Sequence, residues 1–230
     1  MANILNIETS SKICSVAVSS SDQIIGSVVA VETFTHARDL TTLIEELLKQ
    51  CDIRLSDLDA VAVNSGPGSY TALRVGYSVA KGLCFGLDIK MIAHSSFEIL
   101  FDQSMEMDTK DSYDCVIPMI DARRDEVYMA TFDSNGSMLA DAQSFILDEE
   151  ALKKTISTKK NILIIGDAAE KAKLLLKGVE FHFVQREIEA VQMATLSWSK
   201  YKAGSFENVA YTIPFYLKPP NIVASKKKYF

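Results

Sequence analysis

The chain has 230 residues, a net charge of −6, 48% hydrophobic and 23% charged residues. These values predict an ordinary globular protein with one large domain or two lobes. The acidic balance disfavours a stand-alone nucleic-acid-binding protein, because phosphate contacts need a basic surface. The longest apolar runs are far shorter than the ~18 residues of a membrane span, and no signal peptide precedes the first predicted strand. We therefore expect a cytoplasmic protein with no membrane partner.

The first half of the chain reads as strands followed by alternating helices and strands. Apolar runs and hairpin-type residues predict three opening strands, and the helical spacing of Leu40, Leu43 and Leu47 predicts a helix over 36–51 that Thr35 could cap. A buried strand, a glycine loop, an apolar helix, a further strand and a helix from Ser95 follow. The order β-β-β-α-β-α-β-α predicts an α/β fold.

The glycine loop runs from Asn64 to Thr71 with the sequence Asn-Ser-Gly-Pro-Gly-Ser-Tyr-Thr. Glycines let backbone amides approach an anion, and the helix that follows, capped by Ser69 or Thr71, adds a partial positive charge. The spacing fits neither a Walker loop nor a dinucleotide fingerprint. A tight turn and a ligand contact both stay open, and the candidate anion contacts are Ser10, Gly66, Gly68 and Ser69.

The helix predicted over 72–85 carries only two charged residues, so it lacks a broad polar face. Such a helix is covered on more than one side. Ala72, Gly76 and Ala80 recur every four residues and leave a groove for another backbone. The helix is therefore either enclosed within its own domain or packed between its sheet and a partner chain.

The second half repeats this order of elements. The polar stretch 102–113 is the predicted boundary between an N-terminal lobe of residues 1–102 and a C-terminal lobe of residues 103–230. Strands, a hairpin at 134–137 and alternating helices and strands up to Lys202 follow. The repetition predicts a bilobal protein that arose by duplication. The tail is able to return to the N-terminal lobe, and the lysines at 226–228 are expected to be solvated.

The sequence lacks part of what a metal site or a phosphotransferase site requires. His36, His94 and His182 have no metal-binding spacing, so we expect no metal site. Glu8 and Asp121 stand at strand ends, where a two-lobed phosphotransferase places its phosphate and Mg²⁺ machinery. Neither acid is followed by the glycine that lets the backbone reach phosphate.

Three motifs carry a family resemblance. The chain resembles the TsaB (YeaZ) family at these motifs. They are residues 4–10, residues 66–74 with the sequence GPGSYTALR, and residues 120–128 with the sequence IDARRDEVY. Glu8 replaces the usual aspartate, and Ala72 and Asp125 replace glycines. The resemblance implies a two-lobed actin-like, sugar-kinase-like ATPase fold, related to ribonuclease H, in which each lobe is a mixed sheet with flanking helices.

The resemblance also implies the role and the partners. Members of the family are non-catalytic scaffold or activator subunits of the bacterial complex that moves a threonylcarbamoyl group from threonylcarbamoyl-adenylate to N6 of adenosine 37 in tRNAs reading ANN codons. The related catalytic subunit TsaD has an HxxxH metal pair, whereas the stretch after His94 here has no second histidine. The implied partners are a TsaD-like subunit, a TsaE-like ATPase, tRNA through the complex, and a second copy when the chain is alone.

The family binds TsaD, and itself in homodimers, through the first two helices of the N-terminal lobe. The residues expected at this interface are Leu40, Leu43, Leu47, Ala72, Leu73, Gly76, Val79, Ala80 and Leu83. We expect no tightly bound cofactor, with nucleotide binding restricted to the assembled complex. The alternatives are a stand-alone ATP-dependent small-molecule kinase of the same fold, which needs glycine-rich phosphate turns, and a metalloprotease-like hydrolase, which needs a bound metal.

Overall fold

The computed structural model describes residues 1–30, 32, 36–107, 113–156, 160–178 and 180–219. The predicted cap Thr35 and the lysines at 226–228 lie outside these residues. Within them, no helix is both long and apolar enough to cross a membrane.

The first half of the described chain has the predicted order of elements. Its strands and helices are β1 (Asn3–Glu8), β2 (Ser15–Ser20), β3 (Gln23–Val29), α1 (His36–Gln50), β4 (Ala60–Gly66), α2 (Tyr70–Leu87), β5 (Lys90–Ser95) and α3 (Ser96–Met105). The strands form one mixed sheet in the order β3-β2-β1-β4-β5. β1, β4 and β5 are parallel, and β2 and β3 are antiparallel to their neighbours. Because β1 and β4 run in parallel, Glu8 and Asn64 meet at the same edge of the sheet.

The second half builds a second sheet of the same design. Its elements are β6 (Cys115–Asp121), β7 (Glu126–Asp133), β8 (Met138–Ile146), α4 (Glu149–Ile156), β9 (Ile162–Gly166), α5 (Ala169–Leu175), β10 (Phe181–Gln185) and, after a 3₁₀ turn at Ala190–Met193, α6 (Ala194–Ala203). The order β10-β9-β6-β7-β8 is the counterpart of that of the first sheet. The two sheets confirm the predicted internal repetition.

The last helix of each half packs across the boundary between the sheets. In α3, Phe97 and Leu100 share a buried core with Val116 and Leu163 of the second sheet. Residues 102–105, which were predicted to be part of an irregular linker, continue α3 because this helix has a sheet to pack on. In return, Ser197 of α6 donates a hydrogen bond of 2.6 Å to Asn6 of β1. The two halves therefore share one core region.

The chain after α6 runs along the first half. The Glu207 amide donates to the Met91 carbonyl at 2.8 Å, and the Phe215 amide donates to the Ser65 carbonyl at 2.7 Å. The Lys81 ammonium on α2 donates to the carbonyl of Thr212 at 3.0 Å. These contacts hold residues 207–215 against β4, β5 and α2.

Candidate functional site

The acid at the end of β1 is held inside the first half. Glu8 is fully buried. One carboxylate oxygen accepts the Ser10 amide at 2.5 Å, and the other accepts the Asn64 side-chain amide at 2.5 Å. Asn64 itself accepts the Gly66 amide at 2.8 Å and the Ser96 hydroxyl at 3.0 Å. Glu8 thus fastens the turn after β1 to the end of β4.

Burial dominates the protonation of Glu8. Removal from water raises the pKa of Glu8 to about 7, although hydrogen bonds from Ser10 and Asn64 favour the charged form and lower it. Burial therefore favours the neutral form of the Glu8 carboxyl group.

The glycine loop closes onto the turn after β1. A Cβ on Gly68 would lie 2.3 Å from the Ser10 carbonyl oxygen, so only glycine allows this approach. The Ser69 amide donates to the same carbonyl at 2.6 Å. Gly66 has a φ of +102°, which favours glycine, and a Cβ there would lie 2.8 Å from Leu73. The loop therefore serves as a tight turn between two parts of the chain.

Three of the four predicted anion contacts face an open cleft. Ser10, Gly68 and Ser69 line it, whereas Gly66 is buried behind the loop. Ser69 occupies the N-cap position of α2, but its side chain makes no capping hydrogen bond. Of the two predicted caps, Ser69 and Thr71, Ser69 therefore holds the capping position, but without the predicted side-chain hydrogen bond.

The end of the second sheet supplies a matching acidic pair. The Asp121 amide donates to the Asp167 carboxylate at 2.8 Å, and Asp121 accepts the Lys171 ammonium at 2.7 Å. Burial raises the pKa of Asp167 to about 6, against the lowering effect of the hydrogen bond from Asp121. Asp167 was not among the site residues predicted from the sequence. The available signal was the apolar run before Gly166. It predicts a strand that ends just before Asp167, so that this acid stands at a strand end as Asp121 does.

The cleft between the two halves has a volume of about 590 Å³. It is lined by the turn after β1, the glycine loop, the ends of β6 and β9, and the segment 215–219. Lys12 pairs with Glu187 at 2.6 Å, and Lys218 pairs with Glu126. The cleft therefore contains side chains of both positive and negative charge. Neither Lys12 nor Lys218 was among the predicted site residues.

The three histidines have contacts within the chain. The His36 ring lies 3.2 Å from the Ile13 carbonyl, His94 lies 2.9 Å from the Ser197 hydroxyl, and His182 packs edge-on against Tyr113. Each histidine ring thus packs or hydrogen-bonds within the chain.

The structure corrects the predicted groove on α2. Ala72, Leu73, Gly76 and Ala80 are buried within the chain itself, and a Cβ on Gly76 would lie 2.3 Å from the Thr9 hydroxyl oxygen. The small-residue face of α2 therefore packs on its own sheet. On α1, Leu40, Leu43 and Leu47 are also buried. They pack in the core of the first half together with the partly buried Val79 and Leu83.

The solvent-facing sides of these two helices present other residues. On α2 these include Arg74, Ser78 and Phe85, and Phe85 is 86% exposed. On α1 they include Thr41 and Glu45. Any partner of the two helices would contact these residues, because most of the predicted apolar positions are buried and Val79 and Leu83 are partly buried.

Comparisons with known proteins agree on the family. The family model for TsaD, tRNA N6-adenosine threonylcarbamoyltransferase, matches residues 18–227. The tRNA threonylcarbamoyladenosine biosynthesis protein TsaB of Bacillus subtilis is 32% identical over 59% of this chain and 57% of that protein. The TsaB protein of Haemophilus influenzae is 32% identical, and the match spans 52% of its length. The TsaB protein of Escherichia coli is 28% identical over 97% of both chains.

Solved structures share the fold. A Pseudomonas aeruginosa protein described as similar to the peptidase YEAZ has a TM-score of 0.79 and 23% identity, over 95% of this chain and 100% of that chain. An activator of 2-hydroxyisocaproyl-CoA dehydratase from Clostridium difficile, solved with bound ADPNP, has a TM-score of 0.50 and 9% identity over 88% of this chain and 96% of that chain. The predicted fold of two lobes, each a mixed sheet with flanking helices, is confirmed. Within the wider family of the threonylcarbamoyltransferase model, this chain belongs to the TsaB (YeaZ) family.

Proposed function

We propose that this chain is a non-catalytic scaffold or activator subunit in the synthesis of threonylcarbamoyladenosine in tRNA. In this role it supports a TsaD-like subunit that transfers the threonylcarbamoyl group from threonylcarbamoyl-adenylate to N6 of adenosine 37 in tRNAs reading ANN codons. The names of its TsaB relatives support the pathway. The complex acts on tRNA in the cytoplasm, and tRNA meets this chain only through the complex.

The arrangement around Glu8 is the observation that favours a supporting role. Ser10 and Asn64 occupy both oxygens of this carboxylate, and the Ser69 amide is bound to the Ser10 carbonyl. The groups that a phosphotransferase of this fold would direct at its nucleotide here hold the protein's own turns together. They stabilise the wall of the cleft instead of presenting free ligands.

The proposed partner surface is the exposed side of α1 and α2. The same surface would form a homodimer in the absence of the TsaD-like subunit, and a TsaE-like ATPase would join the assembled complex. Phe85 offers a test because its side chain is 86% exposed and its replacement leaves the core intact. Phe85→Ser should weaken binding to the TsaD homologue by about tenfold or more, as for an aromatic interface anchor.

The matched control is Leu174→Ser on α5, where the replaced side chain is 72% exposed in the second half. Isothermal titration with the TsaD homologue of the same organism compares the two variants, and light scattering reports the homodimer. Equal affinities of Phe85→Ser and the unchanged chain would contradict this interface.

Activity should depend on the assembly. The purified chain alone should neither modify tRNA nor hydrolyse ATP at an enzymatic rate, whereas adding the TsaD and TsaE homologues and the adenylate donor should yield modified tRNA. Nucleotide contacts of Ser10, Gly68 and Ser69 belong to this assembled state, and no metal or cofactor is needed by the chain alone. ATP turnover near ~10 per second that is lost in Glu8→Ala would overturn the proposal.

The cleft between the two halves is the observation that favours the kinase alternative. Its volume of about 590 Å³ and its lysines, Lys12 and Lys218, are compatible with a nucleotide-sized ligand. Phosphate transfer to a panel of sugars and small hydroxy compounds, measured by ATP consumption with each compound, separates the two functions. A compound that stimulates consumption would support the kinase.

A further inference from the structure

A second cleft lies away from the exposed sides of α1 and α2 and is not used by the proposed function. It has a volume of about 940 Å³ and lies between α3, the β7–β8 hairpin and the segment 207–215. We call it the acidic groove. Its apolar lining includes Phe101, Phe132, Met138, Leu196, Ile213 and Phe215.

Part of this apolar lining is exposed to solvent. Met138 is 54%, Ile213 72% and Phe215 41% exposed. Exposed apolar side chains that line one cleft are typical of a binding surface. The flexible side chain of methionine also adapts to partners of different shape. The groove therefore offers apolar contact area to a ligand.

The charged residues that line the groove all have the same sign. Glu98, Asp102, Asp141 and Glu207 line it, and in the described part of the chain no lysine or arginine does. Lys200 compensates Glu98 at 3.2 Å. Among the described ion pairs, none includes Asp102, Asp141 or Glu207. Burial and the neighbouring Glu106 also raise the pKa of Asp102, as expected for a carboxylate without a compensating cation.

This charge pattern selects among classes of ligand. Nucleic acid and anionic lipid surfaces would be repelled by the three uncompensated carboxylates. A peptide with apolar and cationic side chains would instead cover the aromatic lining and pair with the carboxylates. The inter-lobe cleft differs, because there Lys12 and Lys218 already compensate nearby acids.

We propose that the acidic groove binds a segment of a partner protein in which apolar side chains alternate with lysine or arginine. The inference is independent of the threonylcarbamoyl function, since it uses a different surface. It implies that this chain contacts a basic partner through α3 and the β7–β8 hairpin while α1 and α2 stay accessible.

The test uses the full chain and a fluorescein-labelled peptide of about twelve residues in which leucine alternates with lysine, a length that spans about 40 Å when extended. Fluorescence anisotropy measures binding. The triple variant Asp102→Asn, Asp141→Asn, Glu207→Gln should weaken binding by about tenfold. The control triple Asp22→Asn, Asp125→Asn, Glu170→Gln changes the net charge equally, and it should change binding by no more than about twofold.

A second pair of variants tests the apolar lining. Met138→Ser with Ile213→Ser should weaken binding by about tenfold, whereas Leu174→Ser with Leu175→Ser, also exposed, should have little effect. Thermal melts establish that all four variants fold. Equal losses in both charge triples would show general attraction and overturn the proposal. Binding that occurs only after residues 220–230 are removed would also overturn it, because the chain's own end would then be the occupant.

Discussion

Gly76 of α2 packs directly against Thr9, the residue that follows β1. A Cβ built on Gly76 would lie 2.3 Å from the Thr9 hydroxyl oxygen and 3.3 Å from its methyl carbon. Real Cβ atoms do not approach so closely, so a side chain at position 76 would have to displace Thr9 or lift α2 from the sheet. The glycine that gives α2 its small-residue face is therefore a packing residue of the monomer.

The first prediction concerns this contact. Gly76→Ala should lower the free energy of unfolding by about 1–2 kcal/mol, because overpacking outweighs the gain in helix propensity. Gly82→Ala, on the same helix with nothing within 4 Å of the added Cβ, should raise it by up to ~1 kcal/mol. Urea unfolding measures both. Thr9→Ala should restore part of the loss in the Gly76→Ala background, and strictly additive effects would contradict the contact.

The second prediction concerns pH. Burial raises the pKa of Glu8 from its ordinary 4.5 to about 7 in the folded state, so the folded protein binds the proton more tightly than the unfolded chain. Its contribution to stability is complete below pH ~4.5 and falls by ~1.4 kcal/mol per pH unit until pH ~7. Asp167, also raised, adds a loss of the same sign. The unfolding free energy of Glu8→Gln should therefore fall less steeply with pH, by about the ~1.4 kcal/mol per pH unit that one bound proton contributes.

The control for this measurement is Glu45→Gln on the exposed side of α1. Denaturant melts at intervals between pH 5 and 8 give the slope for each chain. If Glu8→Gln and Glu45→Gln have the same slope as the unchanged chain, the carboxyl of Glu8 is not the titrating group.

The third prediction concerns the attachment of α6. The Ser197 hydroxyl donates to Asn6 at 2.6 Å, so the neutral His94 ring must donate from Nε2 to the Ser197 oxygen, 2.9 Å away. Burial lowers the pKa of His94 to about 3, which keeps the ring neutral. Ser197→Ala leaves two buried polar groups without a partner and should cost about 1–3 kcal/mol.

Ser205→Ala, beyond the end of α6 and exposed, is the matched control. Chemical denaturation compares the two variants. Nitrogen NMR of the His94 ring should show the Nε2–H tautomer from pH 5 to 8, and a protonated Nδ1 would contradict the assigned direction of the hydrogen bonds.

The fourth prediction concerns the segment after α6. Tyr216 packs on Tyr70 at the start of α2 with ring centroids 4.7 Å apart, next to the Phe215 amide that donates to Ser65. Tyr216→Ala should raise the hydrogen-exchange rate of the Phe215 amide by about tenfold, because aromatic pairs contribute ~0.5–1.5 kcal/mol beyond their area. Tyr216→Phe keeps the ring and should exchange like the unchanged chain. Exchange that is equal in all three chains would show that the ring pair does not hold the segment.

Local patterns in the chain were sufficient to predict much of this protein. Alternating and continuous apolar runs predicted the strands, and the helical spacing of Leu40, Leu43 and Leu47 predicted α1, because periodicity is a property of neighbouring residues. The repeated order of elements predicted two similar halves. The motifs at residues 4–10, 66–74 and 120–128 predicted the family without any contact being known.

Contacts between distant residues could be decided only by the folded chain. The apolar positions of α2 show that the helix is covered, but they do not show which neighbour covers each face. Thr9 occupies the small-residue face at Gly76, for which the sequence allowed either the chain's own sheet or a partner. Likewise, Asn6 and Ser197 are 191 residues apart, and Asp121 and Asp167 are 46 apart. Ser197 reaches Asn6 because α6 of the second half packs on β1, and Asp121 reaches Asp167 because β6 and β9 are parallel neighbours in the second sheet. No local pattern records either arrangement.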